Sequence, residues 1–304
     1  MANDHAGSRM NLRRPDNLNS ADPGVAARHV TGRLLELSHI WRTCVADLLA
    51  DHRRLVPVRR AALISTGPRW AMASAWSRSC RRVADVIGAV VFDVGECLVD
   101  ETREYGTWAD WLGVPRHVFS AVFGAVIARG QDYRDAFQVF QPGFDLEKAR
   151  QRRADEGRPE WFGEDDLYSD ARPTLTRLRN DGLWVGIAGN QTARAGGILR
   201  DLGLPADMIA TSEDWGATKP DPGFFRKMIE ASPCEPGGTL YVGDRLDNDI
   251  VPAARLGLRT ALINRGPWAW IWRDDPAASQ VPTLRIDSLA ELSGKIAAFN
   301  AGAC

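Results

Sequence analysis

From residue 86 onward, short unbroken apolar runs alternate with longer stretches in which apolar positions recur every three or four residues. The runs are Val86–Phe92, Leu183–Ala188, Met208–Thr211, Thr239–Val242 and Thr260–Ile263, with a sixth at Thr283–Ile286. They are too short for helices, and their continuity predicts strands buried on both faces, as in a parallel sheet. Helical patterns lie between them at Ala171–Asn180, Thr192–Leu202, Gly223–Glu230 and Asp249–Gly257. This alternation predicts an α/β fold built on a doubly wound parallel sheet.

The first two strands are too far apart for a single crossover. The stretch between them, residues 100–169, has its own helical pattern around Tyr105–Leu112, Val118–Ile127 and Ala136–Val139, with breaks at Gln141–Leu146 and Glu156–Asp166. A structureless loop of that length is rare in a compact domain. The expected organisation is therefore a core of residues 86–99 and 170–295, with a small α-helical domain, 100–169, inserted after the first strand.

Residues 1–85 differ in composition. Arginine outnumbers acidic residues about two to one there, and lysine is absent. One amphipathic helix is expected over His29–His52, and a second apolar stretch, Ala61–Trp76, is broken by Gly-Pro. Residues 1–85 read as a basic extension, partly disordered or helical, with Met72 an alternative start. Over the whole chain of 304 residues the net charge is -1, with 44% hydrophobic residues. No nucleic-acid or membrane partner is implied by that balance. Five cysteines, widely scattered and without a CxxC pair, argue against a disulfide framework or zinc site and fit the cytoplasm.

Chemistry-bearing residues stand at the carboxyl ends of the strands, where open α/β sheets bind ligands. Asp93 ends the first strand, placed to serve as a nucleophile or metal ligand. The second ends in Gly189-Asn190-Gln191-Thr192, whose amides suit an anion at a helix start. Lys219, set against prolines 220 and 222, follows the third strand with a restricted backbone that aims its ammonium. After the fourth strand, Gly243-Asp244-Arg245-Leu246-Asp247-Asn248-Asp249 gathers carboxylates that would repel one another without a cation. Mg²⁺ is the natural occupant of such an oxygen-rich site.

Taken in order, these four features over residues 86–270 resemble the motif series of the haloacid dehalogenase (HAD) superfamily. The helical insertion resembles the subfamily with a helical cap after the first motif. Only 29 positions separate Asn190 from Lys219, too few for a cap placed there. The resemblance implies that Asp93 attacks phosphorus and forms an aspartyl-phosphate later hydrolysed by water. It implies that Asp93, the Gly95 carbonyl and Asp244 hold Mg²⁺, with Asp249 binding through water or orienting its neighbours. Lys219 would contact both Asp93 and the phosphoryl group, and Gly189 and Asn190 would face the phosphate.

Two positions depart from the family pattern. Gly95 stands where a second Asp usually serves as general acid and base, leaving the adjacent Glu96 as the candidate substitute. Gly189 stands where Ser or Thr usually donates to phosphate. The implied function is a Mg²⁺-dependent phosphatase acting on a small phosphorylated substrate, as a monomer or homodimer. The alternatives are a catalytically weakened domain that binds a phosphorylated ligand or protein partner, and a 2-haloacid dehalogenase. Trp108, Trp111 and Arg103 are candidates for substrate contact or for helix packing. Trp268, Trp270 and Trp272, at alternating positions, read as an edge packed on the core or a dimer contact.

Overall fold

In the computed structural model, the apolar runs pair into one six-stranded, all-parallel sheet of order β3-β2-β1-β4-β5-β6. The strands are β1 Ala89–Phe92, β2 Trp184–Gly189, β3 Met208–Thr211, β4 Thr239–Gly243, β5 Arg259–Ile263 and β6 Leu284–Ile286. The structure describes residues 86–302; the 1–85 segment, with its expected His29–His52 helix and Ala61–Trp76 stretch, lies outside the described residues. The doubly wound α/β class expected from the alternation is the one observed.

Side chains of a strand alternate between faces, which divides the core in two. Val90 and Phe92 of β1 pack with Ile187, Val242, Leu175 and Leu292 on one face. Val91 points the other way, onto Tyr241, Phe224, Phe225 and Met228. Both faces of β1 are covered, so its four residues are fully buried. Winding changes direction between β1 and β4, which opens a crevice at their carboxyl ends. Phe92 lies level with Ile187 and Val242. The residues just beyond them therefore emerge together at that crevice.

Between β1 and β2, four helices form the insertion: Thr102–Leu112, Arg116–Ile127, Asp135–Phe140 and Leu146–Asp155. Aromatic rings fill their common interior. Phe137 is 1% exposed and meets Trp108, Phe119 and Phe144 at centroid separations of 5.6, 5.3 and 5.0 Å. Phe137→Ala should cost about 3 kcal/mol through lost burial and an unfilled cavity, read as a lowered urea midpoint. A change below about 1 kcal/mol would mean that these rings do not form one packed core.

Two expectations are corrected. The tryptophan alternation does not mark a single edge: Gly266–Ile271 is a helix, where residues two apart diverge by about 200°. Trp268 is accordingly buried and Trp270 is 72% exposed, while Trp272 is half-buried. Trp268 also joins the insertion's aromatic cluster, 5.6 Å from Phe123. The helix expected from Asp249 instead begins at Val251, after a wider π-helical turn over Leu246–Ile250. Among the described residues, no helix is long and apolar enough to cross a membrane.

Candidate active site

The crevice holds a cavity of about 1060 Å³, and Asp93, Gly95, Glu101, Asn190, Lys219 and Asp244 all contribute to its wall. Asp93 leaves β1 still latched to the sheet, its amide donating to the Val242 carbonyl at 2.8 Å. Its carboxylate accepts an ion pair from Lys219 Nζ at 2.7 Å, and the same ammonium lies 2.6 Å from Asp249 Oδ1. Lys219 is 4% exposed and Asp249 fully buried. Phe224 and Tyr241 flank the ammonium, with Nζ 5.9 and 5.6 Å from their ring centroids. Burial by itself would lower the lysine's pKa, but Asp249 and Asp93 more than offset that and hold it raised.

Asn190 reaches the backbone of Lys219. Its side-chain oxygen accepts from the Lys219 amide at 2.7 Å, and its side-chain nitrogen donates to the Lys219 carbonyl at 2.9 Å. That pair ties the end of β2 to the lysine loop, so part of Asn190's hydrogen-bonding capacity goes to positioning. Gly189 has a steric reason to lack a side chain: a Cβ there would stand 2.6 Å from Asp93 Oδ1. A serine or threonine fits only if the Asp93 carboxylate moves.

Asp249 uses both oxygens within the protein, one on Lys219 and the other accepting from the Arg245 amide at 3.0 Å. Asp244 differs. It is 2% exposed, and its Oδ2 is buried with no hydrogen-bond partner. Oxygens of Asp93, Asp244 and Asp249 lie within 4.8 Å of one another. Burial, then the charges of Asp249 and Asp93, push the Asp244 carboxyl well above the ordinary range. Asp249 is raised to about 6, by burial first, with Lys219 pulling the other way and Asp93 adding to the rise. Three carboxylates against one ammonium, one of them carrying an orphaned oxygen, fit a hard divalent cation. The donor set suits Mg²⁺.

Glu96 sits in the left-handed region at φ 51°. Its Oε2 accepts from the Tyr168 hydroxyl at 2.5 Å. Burial, partly countered by that hydrogen bond, raises its carboxyl. Glu101, which the sequence reading passed over, faces the same cavity. Its carboxyl is pushed up to about 8, by burial first and then by the charges of Glu96 and Asp93.

Trp108, Trp111 and Arg103 do not contribute to the wall of this cavity. Trp108 is 2% exposed and donates its indole N–H to Glu104. Trp111 packs under the guanidiniums of Arg152 and Arg158. Arg103 is paired with Asp166 at 2.6 Å. Tyr105, Tyr133, Arg134 and Arg150 of the insertion face the cavity instead. Arg150 Nε is buried without a partner. Helical periodicity around Tyr105 pointed to one side of a helix but not to which neighbour it faces.

The chain is similar to known proteins. The chain is 30% identical over 194 residues to Phosphatase MT3486 of Mycobacterium tuberculosis, covering 59% of this chain and 88% of that protein. It is 34% identical over 129 residues to a glyceraldehyde 3-phosphate phosphatase of Methanopyrus kandleri, covering 41% and 54%. The match spans about half the length of that phosphatase, as it does for haloacid dehalogenase-like hydrolase domain-containing protein 3 of Danio rerio. Among solved structures, the HAD-hydrolase YfnB of Bacillus subtilis, bound to magnesium, superposes with a TM-score of 0.52 at 22% identity. That match covers 69% of this chain and 99% of YfnB, and shows the shared fold. A family profile described as haloacid dehalogenase-like hydrolase matches residues 87–257, more than half of the sequence, and the chain therefore belongs to the haloacid dehalogenase-like hydrolases.

Proposed function

We propose that the protein is a Mg²⁺-dependent phosphatase of small phosphomonoesters, with Asp93 as nucleophile. The observation that carries this reading is the buried cluster itself: Asp93 held by Lys219, beside an Asp244 oxygen with no partner. Relatives named as phosphatases, including Phosphatase MT3486, support the same direction. Asp93 and Asp244, with the Gly95 carbonyl, would hold the metal, and Asp249 would orient Lys219 and the Arg245 amide. When bound, Mg²⁺ would neutralise charge on the transferring phosphoryl oxygens.

The protein's own groups perform the rest. Lys219 orients the Asp93 carboxylate through its 2.7 Å contact, and its charge lowers repulsion between that carboxylate and an incoming phosphate dianion. Asn190 holds the lysine backbone so that the ammonium keeps its aim. Phosphoryl transfer depends mainly on such positioning and electrostatics. The helices over 102–155 act as a cap, supplying Tyr105, Tyr133, Arg134 and Arg150 to bind the substrate's leaving group. Metal-free dehalogenation is disfavoured, because gathered carboxylates gain nothing from an anionic substrate arriving without a cation.

A panel of phosphomonoesters assayed with Mg²⁺ and with EDTA tests the reading. Hydrolysis of at least one small ester is expected, falling on chelation by about 10²-fold or more and returning when Mg²⁺ is restored. Absence of turnover across the panel, with vanadate or another phosphate analogue still bound, would instead support a ligand-binding role.

A further inference from the structure

We infer that Glu101 is the general acid and base of this site, supplying from the start of the first insertion helix the carboxyl that Gly95 lacks. The inference deepens the phosphatase reading and rests on it. A Cβ placed on Gly95 would stand 2.7 Å from Cδ of Glu101. The glutamate carboxyl thus fills the space that a side chain at position 95 would take. Residue 95 follows the nucleophile by two positions, and both it and Glu101 face the cavity that contains Asp93.

Glu101 has no competing duty. It directly precedes the helix Thr102–Leu112 but makes no side-chain capping bond to it. Asp100 accepts from the Thr102 amide instead, at 2.8 Å. Among the described residues, no hydrogen bond engages the Glu101 carboxyl, whereas Glu96, the nearer acid in sequence, is occupied by Tyr168. The glycine and the glutamate are a matched pair, since a residue with a side chain at 95 would collide with Glu101 as placed.

The proton balance is complete with this one group. Asp93 forms a bond to phosphorus as the bond from phosphorus to the ester oxygen breaks. That oxygen keeps the electron pair and takes the Glu101 proton, leaving as an alcohol. Water then attacks the aspartyl-phosphate and gives one proton to the Glu101 carboxylate. The bond between phosphorus and Asp93 breaks, its electrons return to the Asp93 carboxylate, and inorganic phosphate is released.

Glu101→Gln keeps the size and removes the proton. An alkyl phosphate needs its leaving oxygen protonated, whereas 4-nitrophenyl phosphate has a good leaving group. In single turnover, the variant should lose about 10²-fold on the alkyl ester and far less on the aryl ester. The aryl ester should also show a burst of nitrophenol, because phosphoenzyme hydrolysis has lost its base. Glu101→Ala should be similarly slow, and adding Gly95→Asp should recover at least about 10-fold, as a restored acid–base group would. With wild type active and Asp93→Asn inactive, equal slowing of both esters, or none, overturns the inference while the phosphatase reading stands. So does a folded Gly95→Asp/Glu101→Ala protein no faster than Glu101→Ala. Lack of hydrolysis by the wild type overturns both.

Discussion

Replacing Asp93 by asparagine should lower turnover of any accepted phosphomonoester by at least about 10³-fold, the scale seen when a covalent nucleophile is removed. The carboxamide matches the carboxylate in shape but is a poor nucleophile, so no phosphoenzyme forms. The fold should not suffer. Lys219 keeps Asp249 at 2.6 Å, and the amide oxygen can still accept from the ammonium. One of three crowded carboxylates also disappears, so in EDTA the variant should melt at or above the wild-type temperature. Added Mg²⁺ should then stabilise the wild type more than the variant, since ligand binding to the folded state adds stability by mass action. Retention of more than about 1% of wild-type turnover, well above that expected without a nucleophile, would remove Asp93 from its role. A large fall in melting temperature in EDTA would mean that Asp93 holds the fold as well.

Lys219→Met should abolish activity and also destabilise the protein by about 3–5 kcal/mol, because it leaves buried charge without its partner. Methionine has similar length and packs between Phe224 and Tyr241, so the deficit is electrostatic. Its pH dependence has a definite sign. The Asp249 carboxyl already stands at about 6 in the folded metal-free chain, against an ordinary 3.8. A carboxyl raised on folding gives full stability below its unfolded value and loses it as pH rises through the folded one. Metal-free wild type should therefore lose part of its stability between roughly pH 4 and 6. Removing the lysine raises the folded value further and extends the loss upward. Urea unfolding in EDTA should show a small deficit for the variant at pH 5 and a much larger one at pH 8. Equal deficits at both pH values would mean that packing, not charge, is what Lys219 supplies.

Much of this site was legible before the fold was known, and for a local reason. Asp93 and Gly189-Asn190 directly follow a buried apolar run and Asp244 follows one after a single glycine, so identifying the run identifies the residues presented at its end. Lys219 was marked by its prolines. Their convergence follows from parallel pairing, because all strands of such a sheet end on the same edge.

What the sequence by itself determined was therefore the α/β class, the strand ends and the family, all carried by short-range patterns. The tertiary structure alone decided who faces whom. Glu101 lies six positions beyond Gly95, yet only the turn after β1 folds its carboxyl into the glycine's empty side-chain space. Asn190 reaches Lys219 across 29 positions, and Trp268 packs 5.6 Å from Phe123 of the insertion. Tryptophans spaced by two read as one edge or contact surface, but the helix that formed turns them to different sides. Periodicity specifies a face and not its neighbour; neighbours depend on how separately specified elements pack, and packing set the wall of this cavity.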